Sequence, residues 1–236
     1  MATTLLDVDD VRLSFGGVHA LDGASLTVTD AHSFWGLIGP NGSGKTTLFN
    51  LISGIYAADA GVVSGTSTIR HRGSVPGLGR TFQHPRVFER MTAQENLLAA
   101  SRGMRSRAAE RKAADLVDLL ELGPVVDRRA GELSIGQQKL VELARALMRD
   151  PQLVLLDEVA AGIHPRLRAR IAGYLRELAG RGTRFLIIEH DMRFLMDLCS
   201  QLYCVAHGKT IASGSPEQIR DDPRVAAEYL GRGDHA

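Results

Sequence analysis

The chain is short of cysteine, of long apolar runs and of net charge, and each shortage removes a class of protein. Only Cys199 and Cys204 are present among 236 residues. They lie close together with no His or Cys at metal-ligand spacing, so both read as reduced, semi-buried thiols rather than a bridge or a metal site. No stretch approaches the roughly 20 apolar residues of a membrane-spanning helix. Residues 1–10 carry acids and lack the basic, apolar pattern of an export signal. The chain is therefore expected to reach a membrane only through a partner. Its 28 basic and 27 acidic side chains leave a formal charge of +1, so no overall field favours nucleic acid. The basic stretch from Arg102 to Lys112 is interrupted by alanines and Glu110 and reads as a solvated helix face. What is there is an ordinary globular composition, long enough for one large domain or a domain with a small lobe.

The order of elements is mostly strand then helix. Alternation over Leu6–Phe15 predicts a strand, Leu26–Thr29 another, and the apolar run Phe34–Ile38 a buried one. A helix is predicted over Thr46–Ser53, closed by Gly54. Gly61–Gly79 reads as short edge strands and loops. Three helices follow: one opened by the capping box Thr92–Glu95 and running to about Ala100, one over about Ser106–Leu122, and one from near Ser134 to before Pro151. The strand and helix pattern then returns: strand Leu153–Leu156, helix Pro165–Ala179, strand Arg184–Ile188 and helix Met192–Cys199. A hairpin at Leu202–Ala206 and Thr210–Ser213 and two short helices broken at Pro223 complete the chain. The expectation is a single α/β domain, 1–236, with a mostly parallel core sheet from about 1–83 and 151–215. A helical lobe at about 84–150 interrupts it, and a helical tail covers about 216–236.

Gly39-Pro40-Asn41-Gly42-Ser43-Gly44-Lys45-Thr46 satisfies G-x-x-x-x-G-K-[ST], with a strand leading in and a helix leading out. Glycines let backbone approach phosphate closely. Successive N–H groups form an anion nest, and the helix adds its positive end. Lys45 is placed to reach β- and γ-phosphates, and the Thr46 hydroxyl to ligate Mg²⁺. The motif alone does not choose between a kinase, a GTPase and an ATPase.

Leu153-Val-Leu-Leu-Asp157-Glu158 is an apolar strand ending in two acids. Asp157, at the carboxyl end of the strand beside the cradle, can hold Mg²⁺. Glu158, on the other face by strand alternation, can orient or deprotonate an attacking water. His190 follows the next apolar strand through Glu189 and reaches the same sheet edge, where a γ-phosphate contact is expected.

With these residues in view, the chain resembles the nucleotide-binding subunits of ABC transporters over nearly its whole length. The most specific element is Leu133-Ser134-Ile135-Gly136-Gln137-Gln138, which looks like the family signature. The resemblance implies an ABC ATPase fold of the P-loop NTPase class with N-terminal antiparallel strands. It also implies that Ser134, Gly136 and Gln137 bind the γ-phosphate of ATP held by a second ATP-binding subunit. Gln83 would sense Mg²⁺ and touch the membrane subunit, His190 would act as the switch histidine, and Phe15 would stack on adenine. Thr47 belongs to the same cofactor set. Arg80-Thr-Phe-Gln-His-Pro-Arg-Val-Phe88, Ile187-Ile-Glu-His-Asp-Met192 and the tail 214–231 are similar to the branched-chain amino acid importers. Transmembrane permease subunits, an indirectly coupled solute-binding protein and a peripheral position on the cytoplasmic face of the membrane follow from that resemblance. Val159 and His164 depart from the family pattern of Pro and Asp or Asn, Ile135 from the second Gly of the signature, and Trp35 and the residues before it from a Gly-Glu turn. A weakly hydrolysing regulator, a soluble ABC ATPase acting on nucleic acid or ribosomes, and a small-molecule kinase are the competing readings. The second lacks its usual tandem cradle and heptads here. The kinase is disfavoured by Glu158, since a kinase excludes the water that this residue would activate.

Overall fold

In the computed structural model, residues 2–65 and 77–230 are described. The expected edge segments across 66–76 and the end of the tail lie outside them. The chain opens with β1 (Thr4–Phe15), β2 (Val18–Thr29), β3 (Phe34–Ile38) and α1 (Lys45–Ile52). It continues with β4 (Ala60–Ser64), β5 (Leu78–Arg80), α2 (Ala93–Ala99), α3 (Ser106–Leu119) and α4 (Ile135–Leu147). Then come β6 (Leu153–Asp157), α5 (Pro165–Gly180), β7 (Arg184–Ile188), α6 (Met192–Leu198), β8 (Gln201–Ala206), β9 (Lys209–Gly214), α7 (Pro216–Arg220) and α8 (Pro223–Leu230).

Among the described residues the strands form two sheets. One is antiparallel, in the order β2-β1-β4; the other runs β5-β6-β7-β3-β8-β9, parallel except for β9. β2 is longer than Leu26–Thr29 because the stretch before it, with Gly23 at φ 106°, still pairs with β1 through register shifts.

The parallel strands are apolar at nearly every position because both faces are covered. Side-chain alternation sorts them. Phe34, Ile38, Val154, Leu156, Phe185 and Ile187 join the core shared with the helices from α2 to α6. Trp35, Leu37, Leu153, Leu155, Leu186 and Ile188 face α1 and the antiparallel sheet. Trp35 stacks on Tyr203 and donates its indole N–H to the Thr29 carbonyl. Both cysteines are buried rather than half-buried. Thr92, Ser134 and Ser215 each cap a helix with a complete capping box. The carboxyl ends of β3, β6 and β7 lie side by side, with Leu37 opposite Ile188 and Ile188 opposite Asp157. In an open α/β sheet, that edge is where ligands bind.

Candidate functional site

The Gly-rich loop leaves β3 under tight steric control. Gly39 has φ 151°, and a Cβ there would sit 2.0 Å from the Val205 carbonyl oxygen of β8. Gly44, the N-cap of α1, has φ 104°, and its Cβ would meet the Ala20 carbonyl oxygen at 2.5 Å. Any side chain at either position displaces backbone, which is why glycine stands at both. Gly208 N–H donates to the Ser43 carbonyl at 3.0 Å, stitching the loop to the β8–β9 turn. Lys45 opens α1 and is 7% exposed. Its Nζ donates to the carbonyls of Gly39 (2.8 Å) and Pro40 (2.9 Å), spanning the loop from inside. Burial lowers its pKa, opposed by the carboxylates of Glu158 and Asp157. The loop floors a cleft of about 510 Å³. Asn41, Gly42, Ser43, Gly44, Lys45, Thr46 and Thr47 line it, and Gln83, Glu158 and His190 form a wall.

Asp157 is 1% exposed at the end of β6. Burial raises its pKa; Arg80, 3.8 Å away, opposes this. Arg80 also donates to the Phe49 carbonyl and to Asn50 Oδ1, tying the end of α1 to β5. Asp157 Oδ1 is buried without a hydrogen-bond partner, an uncommon state for a carboxylate oxygen. Among the described residues no three His, Cys, Asp or Glu side chains converge as a metal cage. Mg²⁺ asks for less, taking one or two carboxylates and completing its shell with phosphate oxygens and water. The unpartnered Asp157 oxygen and the exposed Thr46 hydroxyl fit that demand.

Glu158 is not aimed by strand alternation as the sequence suggested. β6 ends at Asp157, and Glu158 adopts φ 54°, a left-handed conformation costly for a residue with a side chain. Its N–H still pairs with the Ile188 carbonyl, while the turn sends its carboxylate into the cleft. There Oε2 accepts from Gln83 Nε2 at 3.0 Å, and Oε1 lies 2.8 Å from His190 Nε2. Gln83 and His190, far from Glu158 in the chain, thus meet at one carboxylate.

The loop after Glu158 is held by charges that sequence reasoning did not single out. Lys139 Nζ donates to the carbonyls of Glu158 (2.6 Å) and Ala161 (2.8 Å). Glu189 accepts the Ala160 N–H at 2.5 Å. Both side chains are buried. The available signal was a pair of charges, Lys139 and Glu142, one turn apart on a helix among apolar neighbours. Burial pushes the Glu189 carboxyl from 4.5 up to about 7. A raised folded-state value favours the protonated form, so the native state binds more protons than the unfolded chain. Stability is then full below pH 4.5 and is lost as pH rises through about 7, by on the order of 3 kcal/mol. Glu189→Gln is expected to remove that slope. Urea midpoints at about pH 5, near the foot of that window, and about pH 8, above it, should differ less in the variant than in the wild type, and equal differences would refute the assignment.

The sequence-derived phosphate contacts from the signature are elsewhere. Ser134 caps α4, its hydroxyl accepting from Gln137 N–H, with Gln137 Oε1 returning to the Ser134 N–H at 3.0 Å. Gly136 packs against α5, where a Cβ would meet Leu167 Cδ2 at 2.4 Å. Ser134 and Gln137 line a separate hollow of about 570 Å³ with His164 and Leu167. No residue is shared between the two cavities. His164 itself caps α5 by accepting the Arg166 N–H, and Val159 is buried in the core, so both departures are absorbed structurally. Phe15 does not line the cleft. Its ring is 46% exposed and packs edge-on against Tyr56 at 5.2 Å, beside the cleft residue Val18 that pairs with it.

Comparison with known proteins shows the family. A family model described as ABC transporter matches residues 21–161, and one described as branched-chain amino acid ATP-binding cassette transporter matches residues 209–235. The high-affinity branched-chain amino acid transport ATP-binding protein LivG of Escherichia coli K12 is 35% identical, over 98% of this chain and 99% of its own. BraF of Pseudomonas aeruginosa, of the same description, is 36% identical over the same shares. A solved ATP-binding cassette of an ABC transporter in its ADP conformation superposes with a TM-score of 0.82 at 35% identity, covering 97% of this chain and 99% of that one. With a phosphate cradle, a buried Asp and a cleft-facing Glu on one sheet edge, and relatives matched end to end, the chain belongs to the ABC transporter family as an ATP-binding cassette ATPase.

Proposed function

We propose that this cassette powers a membrane importer of branched-chain or related amino acids. It would sit peripherally on the cytoplasmic face of the membrane beneath permease subunits fed by a solute-binding protein. The observation that carries the catalytic reading is the Glu158 carboxylate, held between Gln83 and His190 on the wall above the Gly-rich loop. Near full-length similarity to LivG and BraF supports the cargo class. Among the described residues no helix is long and apolar enough to cross a membrane, and in this reading the pore belongs to other subunits.

The loop amides and Lys45 then bind the β- and γ-phosphates. Thr46 and Asp157, with Gln83 beside them, would hold Mg²⁺, which when bound would supply charge neutralisation for the phosphate oxygens. Glu158 takes a proton from a water as its oxygen bonds to the γ-phosphorus. The bond from that phosphorus to the β–γ bridging oxygen breaks, leaving ADP and phosphate. His190 orients Glu158 and contacts the γ-phosphate.

The signature hollow is separate from the cradle, so Ser134, Gly136 and Gln137 serve an ATP held by a second ATP-binding subunit, identical or related. The cassette, permease subunits and solute-binding protein, reconstituted in proteoliposomes with ATP on the cassette side, are expected to accumulate labelled leucine. Ser134→Arg should leave ATP binding to the isolated chain intact yet abolish hydrolysis and uptake. Hydrolysis without uptake of leucine, isoleucine or valine would discard the cargo; full hydrolysis in Ser134→Arg would discard the shared site.

A further inference from the structure

Glu142 lies in the middle of α4 and is 4% exposed. A carboxylate so buried is costly unless its oxygens find donors. Both do, and both donors belong to the loop that carries Gln83. Glu142 Oε2 accepts the Phe82 N–H at 3.1 Å, and Oε1 accepts the Arg86 N–H at 2.7 Å. The neighbouring side chain on α4, Arg145, donates to the Arg86 carbonyl and lies 4.6 Å over the Phe88 ring. The Arg86 guanidinium in turn covers Phe82 at 4.0 Å. Gln83 sits between the two gripped amides, and its Nε2 reaches Glu158.

We propose that Glu142 is a positioning residue for hydrolysis: by holding the amides on either side of Gln83, its carboxylate fixes where the Gln83 side chain meets Glu158. This rests on the reading of Gln83 and Glu158 given above. The chemistry demands a carboxylate. Two backbone donors need two acceptor oxygens. A glutamine has one, and its NH₂ would face the other N–H donor. Glu142 also sits on the helix capped by Ser134, so the signature and the Gln83 loop move as one body. A partner's ATP seated at Ser134 would thereby bear on the carboxylate that activates water at the other site.

The test is a double-mutant cycle on the full-length chain, read by steady-state phosphate release. Glu142→Gln is expected to lower kcat about tenfold to a hundredfold, the scale of a slightly misplaced catalytic group, with KM for ATP within about twofold of wild type. Combined with Gln83→Ala, it should cost nothing further, because the residue it acts through is already gone. Should Glu142→Gln not fold, Glu142→Asp replaces it. That variant keeps both acceptors but is one methylene shorter, so it draws the loop toward α4 and is expected to lower kcat with KM unchanged, again with no effect in the Gln83→Ala background. A fully additive loss, or an unchanged kcat in the Glu142 variants, overturns the role of Glu142 while leaving the site standing. A wild-type kcat in Gln83→Ala overturns the reading of Gln83 and this inference with it.

Discussion

Replacing Glu158 with glutamine is expected to leave ATP affinity unchanged and to cut turnover by about a hundredfold or more, the scale of a lost general base. The substitution is close to isosteric. The new amide oxygen could still accept one hydrogen bond from Gln83 or His190, so the wall of the cleft should keep its shape. What disappears is the basic oxygen. Lys45, the loop amides and Asp157 are untouched, so the proposed ligands of ATP and Mg²⁺ are kept. A shared site that closes on ATP and opens on hydrolysis would then stay closed. Size-exclusion chromatography with ATP should therefore show the variant as a stable pair. Normal phosphate release from a monomeric variant would contradict both halves of the argument.

Lys45→Ala is expected to abolish ATP binding. The side chain carries the only ammonium lining the cleft among the described residues. Two loop carbonyls hold it, and they compete poorly with a triphosphate. Charge-assisted contacts are the strong ones in such a site, and its removal takes away the one ammonium that faces the phosphates. The same truncation leaves the Gly39 and Pro40 carbonyls without their donor, and some loss of stability is expected. Binding should be measured with a fluorescent ATP analogue below the variant's own thermal midpoint. Wild-type affinity there would remove Lys45 from the phosphate site.

How far the sequence foretold this arrangement depends on whether the information is local. Gly39 to Thr46 could be read directly because the whole pattern lies in one unbroken loop between a strand and a helix, although Val205, Ala20 and Gly208 shape that loop from elsewhere. Asp157 could be placed because a strand has one carboxyl end. Glu158 could be named, but its direction could not: alternation argued for the opposite face, and a φ of 54° decided otherwise. Gln83 became a site residue through resemblance, and His190 through its place beyond a strand; nothing at either position announces that they meet at Glu158. Lys139, Glu142 and Glu189 were not singled out as anchors, although the first two left a signal in charges one turn apart among apolar neighbours. Their burial arises only when α4 and β7 pack against the loops they hold, and a charge in a sequence is otherwise assumed to face water. Phe15 entered through resemblance alone, and its exposed ring lies beside the cleft without lining it.

The buried cysteines have a practical consequence. Burial pushes the Cys199 thiol up to about 12 and Cys204 to about 11. Neither forms a thiolate at neutral pH, and neither can meet a reagent while the parallel sheet is closed. To a maleimide the folded chain is therefore blank, and engineered cysteines can be placed at Ser134 or Phe88 for cross-linking without first removing the native pair. Slow labelling of the native pair would in turn clock how often β3, β8 and α6 come apart, giving the opening rate of the central sheet from inside the molecule.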